Sequence, residues 1–159
     1  TDTKILIQSK WGINMKFRKI KSDDYTNCAK NLVSAYKGAP WYNKWTEEEA
    51  LLRIEATLSG FNSKGYVIEN NNKIIAMCIG RIDYYFSNMN QFCIDEFHVI
   101  PEFQQKGVGK NLMNSVSNSL KVDGINKIFL ITGGELAEYF YEKTGFMKSN
   151  EGSMMELDL

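Results

Sequence analysis

Residues 101–113, PEFQQKGVGKNLM, set Gly107 and Gly109 among Gln104, Gln105, Lys106 and Lys110 where a helical run begins at Val108. A helix N-terminus leaves several N–H groups without intrahelical acceptors and carries the positive end of the helix dipole. Glycine there lets an anion approach the amides, and neighbouring lysines add charge-assisted contacts. Such a loop could hold a phosphate or diphosphate; the competing reading is a turn that needs glycine for its shape. Neither the nucleotide pattern G-x-x-x-x-G-K-[ST] nor a dinucleotide G-x-G-x-x-G in an early βαβ unit occurs in the chain.

Just upstream, IDEFHV supplies two carboxylates, Asp95 and Glu96, and the single histidine, His98. Alternation along a strand sends Asp95 and Glu96 to opposite faces, with Phe97 and Val99 sharing the face of Asp95. That favours Glu96 as the acid facing a cleft, with His98 on its side. A solvated strand end explains either acid equally well, and a packed histidine explains His98.

The elements that must position these groups follow from hydrophobic spacing and capping residues. MKFRKI reads as a strand, and SDDYTNCAKNLVSAYKG as a helix capped by Ser22 or Asp23 and stopped near Gly38, before Pro40. Thr46 with Glu49 three residues on forms a capping-box pattern ahead of Ala50, Leu51, Ile54 and Leu58 at helical spacing. GYVIEN, NNNKIIAMCIGRIDYY and NQFCIDEFHVI read as an antiparallel meander, its first turn rich in asparagine. A helix over VGKNLMNSVSNSLKVDG, a strand over NKIFLI, a helix over ELAEYFYEKTG and a strand near SMMELDL complete the order β-α-α-β-β-β-α-β-α-β, with Gly124 and Gly145 as helix stops. Without repeats or linkers, the fold class is α+β: a mixed, mostly antiparallel sheet flanked by helices.

The chain has 159 residues, and its 19 Lys plus Arg balance 19 Asp plus Glu, which suits one domain and gives no net basic field for nucleic acid. Residues 15–159 are taken as that domain, and residues 1–14 as an extension, either native or left by cloning. Three scattered cysteines, Cys28, Cys78 and Cys93, fit a reducing cytoplasm and point to neither a disulfide framework nor a metal site. No apolar run is long enough for a membrane span, and TDTKILIQSKWGIN lacks the apolar core of a secretory signal.

Two segments carry a family likeness. DEFHVIPEFQQKGVGKNLM, Asp95 to Met113, contains Q-x-x-G-x-G from Gln104 to Gly109, and AEYFYEKTGF, Ala137 to Phe146, contains F-Y-E-K-x-G-F. Both, and the element order over Met15 to Leu159, resemble the GNAT superfamily of N-acetyltransferases. Gly134 departs from the pattern where members often carry asparagine.

The resemblance implies acetyl-CoA as cosubstrate, held by Gln104, Gln105, Lys106, Gly107, Val108, Gly109 and Lys110, with backbone groups of Phe97, His98 and Val99 against the thioester. It implies Tyr141 as general acid and cofactor contact, direct attack by an amine, and Glu96 or Asp95 as candidate base. Trp41, Tyr42 and Trp45 would wall the acceptor, with Asp83 and Tyr84 as a second wall; aromatics beside carboxylates suit a cationic amine. The expected acceptor is a small primary amine, aminoglycoside-like or polyamine-like. The alternatives are a protein or peptide N-acetyltransferase and a non-catalytic acyl-CoA-binding regulatory module. A homodimer accords with the family; no metal, nucleic acid or membrane partner is expected.

Overall fold

The computed structural model describes residues 5–8 and 10–159. Six strands, β1 (Ile5–Gln8), β2 (Asn14–Lys19), β3 (Ser63–Asn70), β4 (Lys73–Asp83), β5 (Gln91–Val99) and β6 (Lys127–Phe129), lie side by side in chain order. Each pairs antiparallel with the next except β5 and β6, which run parallel. Helices α1 (Tyr25–Lys37) and α2 (Glu47–Leu58) cover one face; α3 (Val108–Val122) and α4 (Glu135–Lys143) lie on the other.

Local chemistry explains most boundaries. Thr46 caps α2, its hydroxyl accepting from the Glu49 amide while the Glu49 carboxylate accepts from the Thr46 amide, the expected reciprocal box. Asn71 and Asn72 take φ of 49° and 62° between β3 and β4, the left-handed turn that asparagine tolerates.

One expectation is corrected. Ser153–Leu159 forms no strand and is exposed throughout, with no sheet partner among the described residues. Conversely, Ile5–Gln8, within the stretch read as an extension, pairs with β2 from Ile5–Phe17 to Gln8–Asn14.

Apolar side chains on opposite faces of the sheet make two cores. Cys28, Ala29, Leu32, Ala50 and Ile54 of α1 and α2 close over Val67, Ile74, Met77 and Ile79. Val108, Leu112, Met113, Val116 and Leu120 of α3 close over Tyr66, Ile68, Cys78, Phe92 and Ile94. The first core is pinned to the sheet by Arg18 of β2. Its guanidinium donates to both carboxylate oxygens of Asp24 at 2.7 and 2.8 Å and to Glu69 of β3 at 2.7 Å. Burial pushes both carboxyls up, but the hydrogen bonds from Arg18, helped by the Lys21 amide at Asp24 and by Lys16 at Glu69, more than offset it and leave both below the ordinary carboxylate value.

This network yields a stability prediction. Arg18→Met strands the buried Asp24 carboxylate, leaves half-buried Glu69 with Lys16 alone, and should cost about 3 kcal/mol in urea unfolding at neutral pH. Because both folded values are depressed, the stabilisation is present above the unfolded value near 4 and lost as pH falls through the folded ones. The gap between wild type and Arg18→Met should therefore narrow in acid.

Candidate active site

The parallel ladder of β5 and β6 covers only three pairs, Gln91–Lys127, Phe92–Ile128 and Cys93–Phe129. Beyond Cys93 the strands part, while β5 stays paired with β4 as far as Val99. The side of β5 from Ile94 to Val99 that faces away from β4 therefore borders an open wedge, with its backbone groups released from the sheet ladder.

The predicted anion loop closes the mouth of this wedge. After Val99 a short 3-10 turn over Pro101–Phe103 leads to Gly107, the N-cap of α3, at φ 78°. A side chain at Gly107 would meet nothing within 4 Å, so the backbone angle rather than space requires glycine. Gly109 differs: an added Cβ would lie 3.1 Å from the Phe140 ring, so its bareness seats α3 against α4. The α3 N-terminus has no side-chain cap and no acid in its first turn, in contrast to the boxed start of α2. Its free amides suit an exogenous anion.

The side chains of the loop mostly brace it. Gln104 donates to the Val99 carbonyl at 2.9 Å. Lys106 donates to the Glu102 carbonyl at 2.7 Å and lies over the Phe103 ring, whereas Lys110 is exposed. Gln105 is exposed at φ 57°, and Val108 is buried in the core.

On the wedge floor, a bulge corrects the predicted alternation. Ile79 pairs with Glu96 and Gly80 with Ile94, leaving Asp95 as the extra residue. A Cβ at Gly80 would run into the Cys93 carbonyl, so glycine permits the close approach there. As a result Asp95 and Glu96 both project on the α1/α2 side of the sheet, while Phe97 turns to α4 and packs on Phe140 and Tyr141 at centroid distances of 5.5 and 6.2 Å.

Each acid has an arginine. Asp95 accepts from Arg81 Nε at 2.8 Å and Nη2 at 3.1 Å. Glu96 accepts from Arg53 Nε of α2 at 3.1 Å, and Arg53 Nη2 reaches the Asp95 carbonyl at 3.2 Å. The Tyr36 hydroxyl of α1 lies 3.3 Å from Glu96 Oε2 and 3.2 Å from the Phe97 carbonyl. Burial pushes the Glu96 carboxyl above the ordinary value despite Arg53 and Tyr36, which act to lower it.

Tyr141 of α4 completes the floor. Its ring sits edge-on among Phe97, Phe140 and Phe146, and its hydroxyl makes no hydrogen bond among the described residues. Burial, then the nearby Cys78 and Glu96, push its phenol well above the usual value. Tyr36 is raised likewise by burial, Glu96 and Tyr141, so the three groups lie within electrostatic reach of one another. His98 is 4% exposed, neither ring nitrogen has a partner, and burial lowers it to about 4, so it stays neutral at ordinary pH.

The aromatic walls divide. Trp41 stands edge-on to Tyr36 at 5.8 Å, which joins it to the Glu96 cluster. Tyr42 is exposed and Trp45 packs against the α1/α2 core. Tyr84 instead stacks on Phe61 at 6.2 Å, and Asp83 lies opposite Gln91 at the far end of the hairpin. Sequence reasoning missed Arg53 as the partner of Glu96; its only signal was that it is the one cation on α2. Two hollows elsewhere on the surface, about 260 and 320 Å³, flank Gly65 and Asn27; Arg18, Asp24 and Glu69 in the second are already paired together.

The model of the Acetyltransferase (GNAT) family matches residues 27–146. The chain belongs to this family. GNAT folds of known structure agree with it along nearly their whole length. A possible acetyltransferase from Clostridium difficile 630 is 21% identical, with TM-score 0.77 over 91% of this chain and 97% of that one. The aminoglycoside N-acetyltransferase AAC(6')-Iy, solved with CoA, is 16% identical, with TM-score 0.72 over 93% and 97%. Glucosamine-6-phosphate N-acetyltransferase from Arabidopsis thaliana is 23% identical, with TM-score 0.64 over 91% and 99%. No curated protein matches the chain by sequence. Gly134, where GNAT members often carry asparagine, sits at φ 86° and ψ 142°, a conformation hospitable to glycine and strained for asparagine. No helix among the described residues is long and apolar enough to cross a membrane.

The Glu96 cluster can be read directly by carboxyl NMR titration. Glu96 should titrate above the ordinary glutamate value near 4.3. Arg53→Met should raise it further by removing the guanidinium, and Tyr36→Phe should raise it by a smaller step. A Glu96 value at or below 4.3 in the wild type would contradict the burial argument.

Proposed function

We propose that the chain is an acetyl-CoA-dependent N-acetyltransferase acting on the primary amine of a small molecule, with Glu96 as base and Tyr141 as acid. The observation that carries this reading is the convergence of buried Glu96 and protonated Tyr141 where β5 leaves β6, beside an uncapped helix N-terminus.

The residues fit the cosubstrate. The α3 amides around Val108 and Gly109 would hold its diphosphate, and the free side of β5 near Phe97 to Val99 would receive its amide-bearing arm and thioester carbonyl. Bound acetyl-CoA supplies an acyl group activated as a thioester. The remaining tasks fall to side chains. Glu96, its carboxyl raised above the ordinary value by burial, takes a proton from an ammonium acceptor, and Arg53 and Tyr36 hold it in place. The Tyr141 hydroxyl keeps its proton throughout the working pH range and serves as donor to a departing thiolate.

For the acceptor, Trp41 and Tyr42 offer aromatic faces beside this floor, and Glu47, Glu48 and Glu49 open α2. Aromatic rings and carboxylates together suit a cationic amine. The solved neighbours include enzymes of aminoglycosides and of an amino sugar phosphate, which supports a small-molecule acceptor.

Calorimetry with acetyl-CoA, followed by thiol release against a panel of free amines and peptides, tests the reading; thiol release with peptides alone would overturn the small-molecule acceptor. Tyr141→Phe should retain acetyl-CoA affinity and lose about 100-fold in kcat, and Glu96→Gln should lose a similar factor. The wild-type rate should rise with pH through the elevated Glu96 value, since the base works deprotonated. Gly107→Val, which forces a branched side chain into φ 78°, should weaken acetyl-CoA binding while leaving the fold intact by circular dichroism.

A further inference from the structure

The two arginines that hold the acids of the wedge use only one side of their guanidinium groups. In arginine, Nε and Nη2 lie along one edge of the plane, and Nη1 and Nη2 form a second, two-pronged edge. Arg81 turns its first edge to Asp95, with Nε at 2.8 Å and Nη2 at 3.1 Å from the two carboxylate oxygens. Arg53 turns the same edge to Glu96 Oε1 at 3.1 Å and to the Asp95 carbonyl at 3.2 Å. Neither Nη1 donates to an oxygen among the described residues, and the other group near Arg81 is the Cys93 thiol, a weak acceptor. Both two-pronged edges stand open.

The two cations meet at one residue. Arg81 holds the Asp95 carboxylate and Arg53 its carbonyl, so together they flank the bulge next to Glu96. The chain that follows α2 is tied to β4 beside them: the Ile82 amide donates to the Asn62 carbonyl at 2.8 Å, and the Asn62 side chain donates to the Ile82 carbonyl at 2.9 Å. The Asp95 and Glu96 side chains beneath are 11% and 12% exposed, whereas those of Arg81 and Arg53 are 46% and 40% exposed. A molecule arriving from solvent therefore meets guanidinium before carboxylate. Two cations set against two anions give no net field to draw in a polycation. Neutralising an acid needs only a positive charge, while an open planar fork matches the two oxygens of a carboxylate or phosphate.

We propose that the acceptor carries an oxyanion, a carboxylate or a phosphate monoester, beside its amine, and that the open edges of Arg81 and Arg53 receive it. The proposal rests on the N-acetyltransferase reading, which puts the amine at Glu96. It narrows that reading from small amines in general to amino acids and phosphorylated amines, and it makes Arg81 a specificity residue.

Pairs of amines that differ in the anion test it: O-phosphoethanolamine against ethanolamine, glucosamine 6-phosphate against glucosamine, and β-alanine against β-alaninamide. Each is titrated by calorimetry into the full chain saturated with CoA, so that phosphates do not compete at the α3 amides. In at least one pair the anionic member should bind about 10-fold tighter, as a charge-assisted fork contributes; the phosphate pairs and the β-alanine pair tell which oxyanion is read. The double variant Arg81→Met, Asp95→Asn removes one charge of each sign, so the local field is kept and the fork is lost; its preference ratio should fall to about one. Arg81→Lys keeps the ion pair, guards against a folding defect in the double variant, and should lose most of the ratio as well. Neutral members that bind as tightly as their anionic partners in every pair, or a ratio that survives both variants, would overturn the proposal. Thiol release from acetyl-CoA, run on the same pairs, separates the two readings. Release at equal kcat/KM within every pair overturns the oxyanion and leaves the transferase standing, whereas anion-selective binding lost in the variants, with no release from any pair, supports the oxyanion site and overturns the transferase.

Discussion

The three-pair ladder between β5 and β6 is the constraint on which the site depends. Buried backbone groups must find partners, so a strand that loses its neighbour inside a fold is stable only if its other edge is secured. Here β4 secures it, pairing with β5 along its whole length. The wedge is thus held open by a sheet that is strong on one side and absent on the other. The Gly107 loop then closes its mouth because Gln104 ties the turn back to the Val99 carbonyl, which sets the α3 amides beside the freed edge.

Within that wedge, charge is arranged by pairing. Asp95 and Glu96 are brought to one side of the sheet by a single extra residue, and two carboxylates so close would repel one another. Arg81 and Arg53 divide them, each taking one acid. Arg81 binds Asp95 through both oxygens and leaves it little freedom, whereas Glu96 meets one guanidinium nitrogen and one phenol. The two acids are chemically alike and differ in what surrounds them. Burial does the remaining selection, keeping His98 neutral and Tyr141 protonated.

Much of this was legible in the sequence where a local rule decides. The Thr46 box, the Asn71–Asn72 turn and the glycine at the head of α3 depend on backbone angles and near neighbours, and all were readable. The Asp95 bulge was not, because it arises from how β5 meets Gly80 on another strand. Arg53 and Tyr36 act across 43 and 60 residues of chain, and nothing in helical spacing tells which exposed cation or phenol will reach a given strand. The strand expected near Ser153 illustrates a different limit: alternation reports that a segment has one apolar side and is silent on what covers it.

The contact between Gly109 and the Phe140 ring joins the anion loop to the helix that bears Tyr141. The two motifs of this chain, far apart in sequence, therefore share one van der Waals surface. A methyl group gained at position 109 fits only when the ring at 140 shrinks or tilts, and Tyr141 is the next residue along. Drift at these two positions is consequently coupled: in a lineage of such chains the sizes at 109 and 140 should vary inversely, and the glycine loop and the helix that bears Tyr141 evolve as one piece.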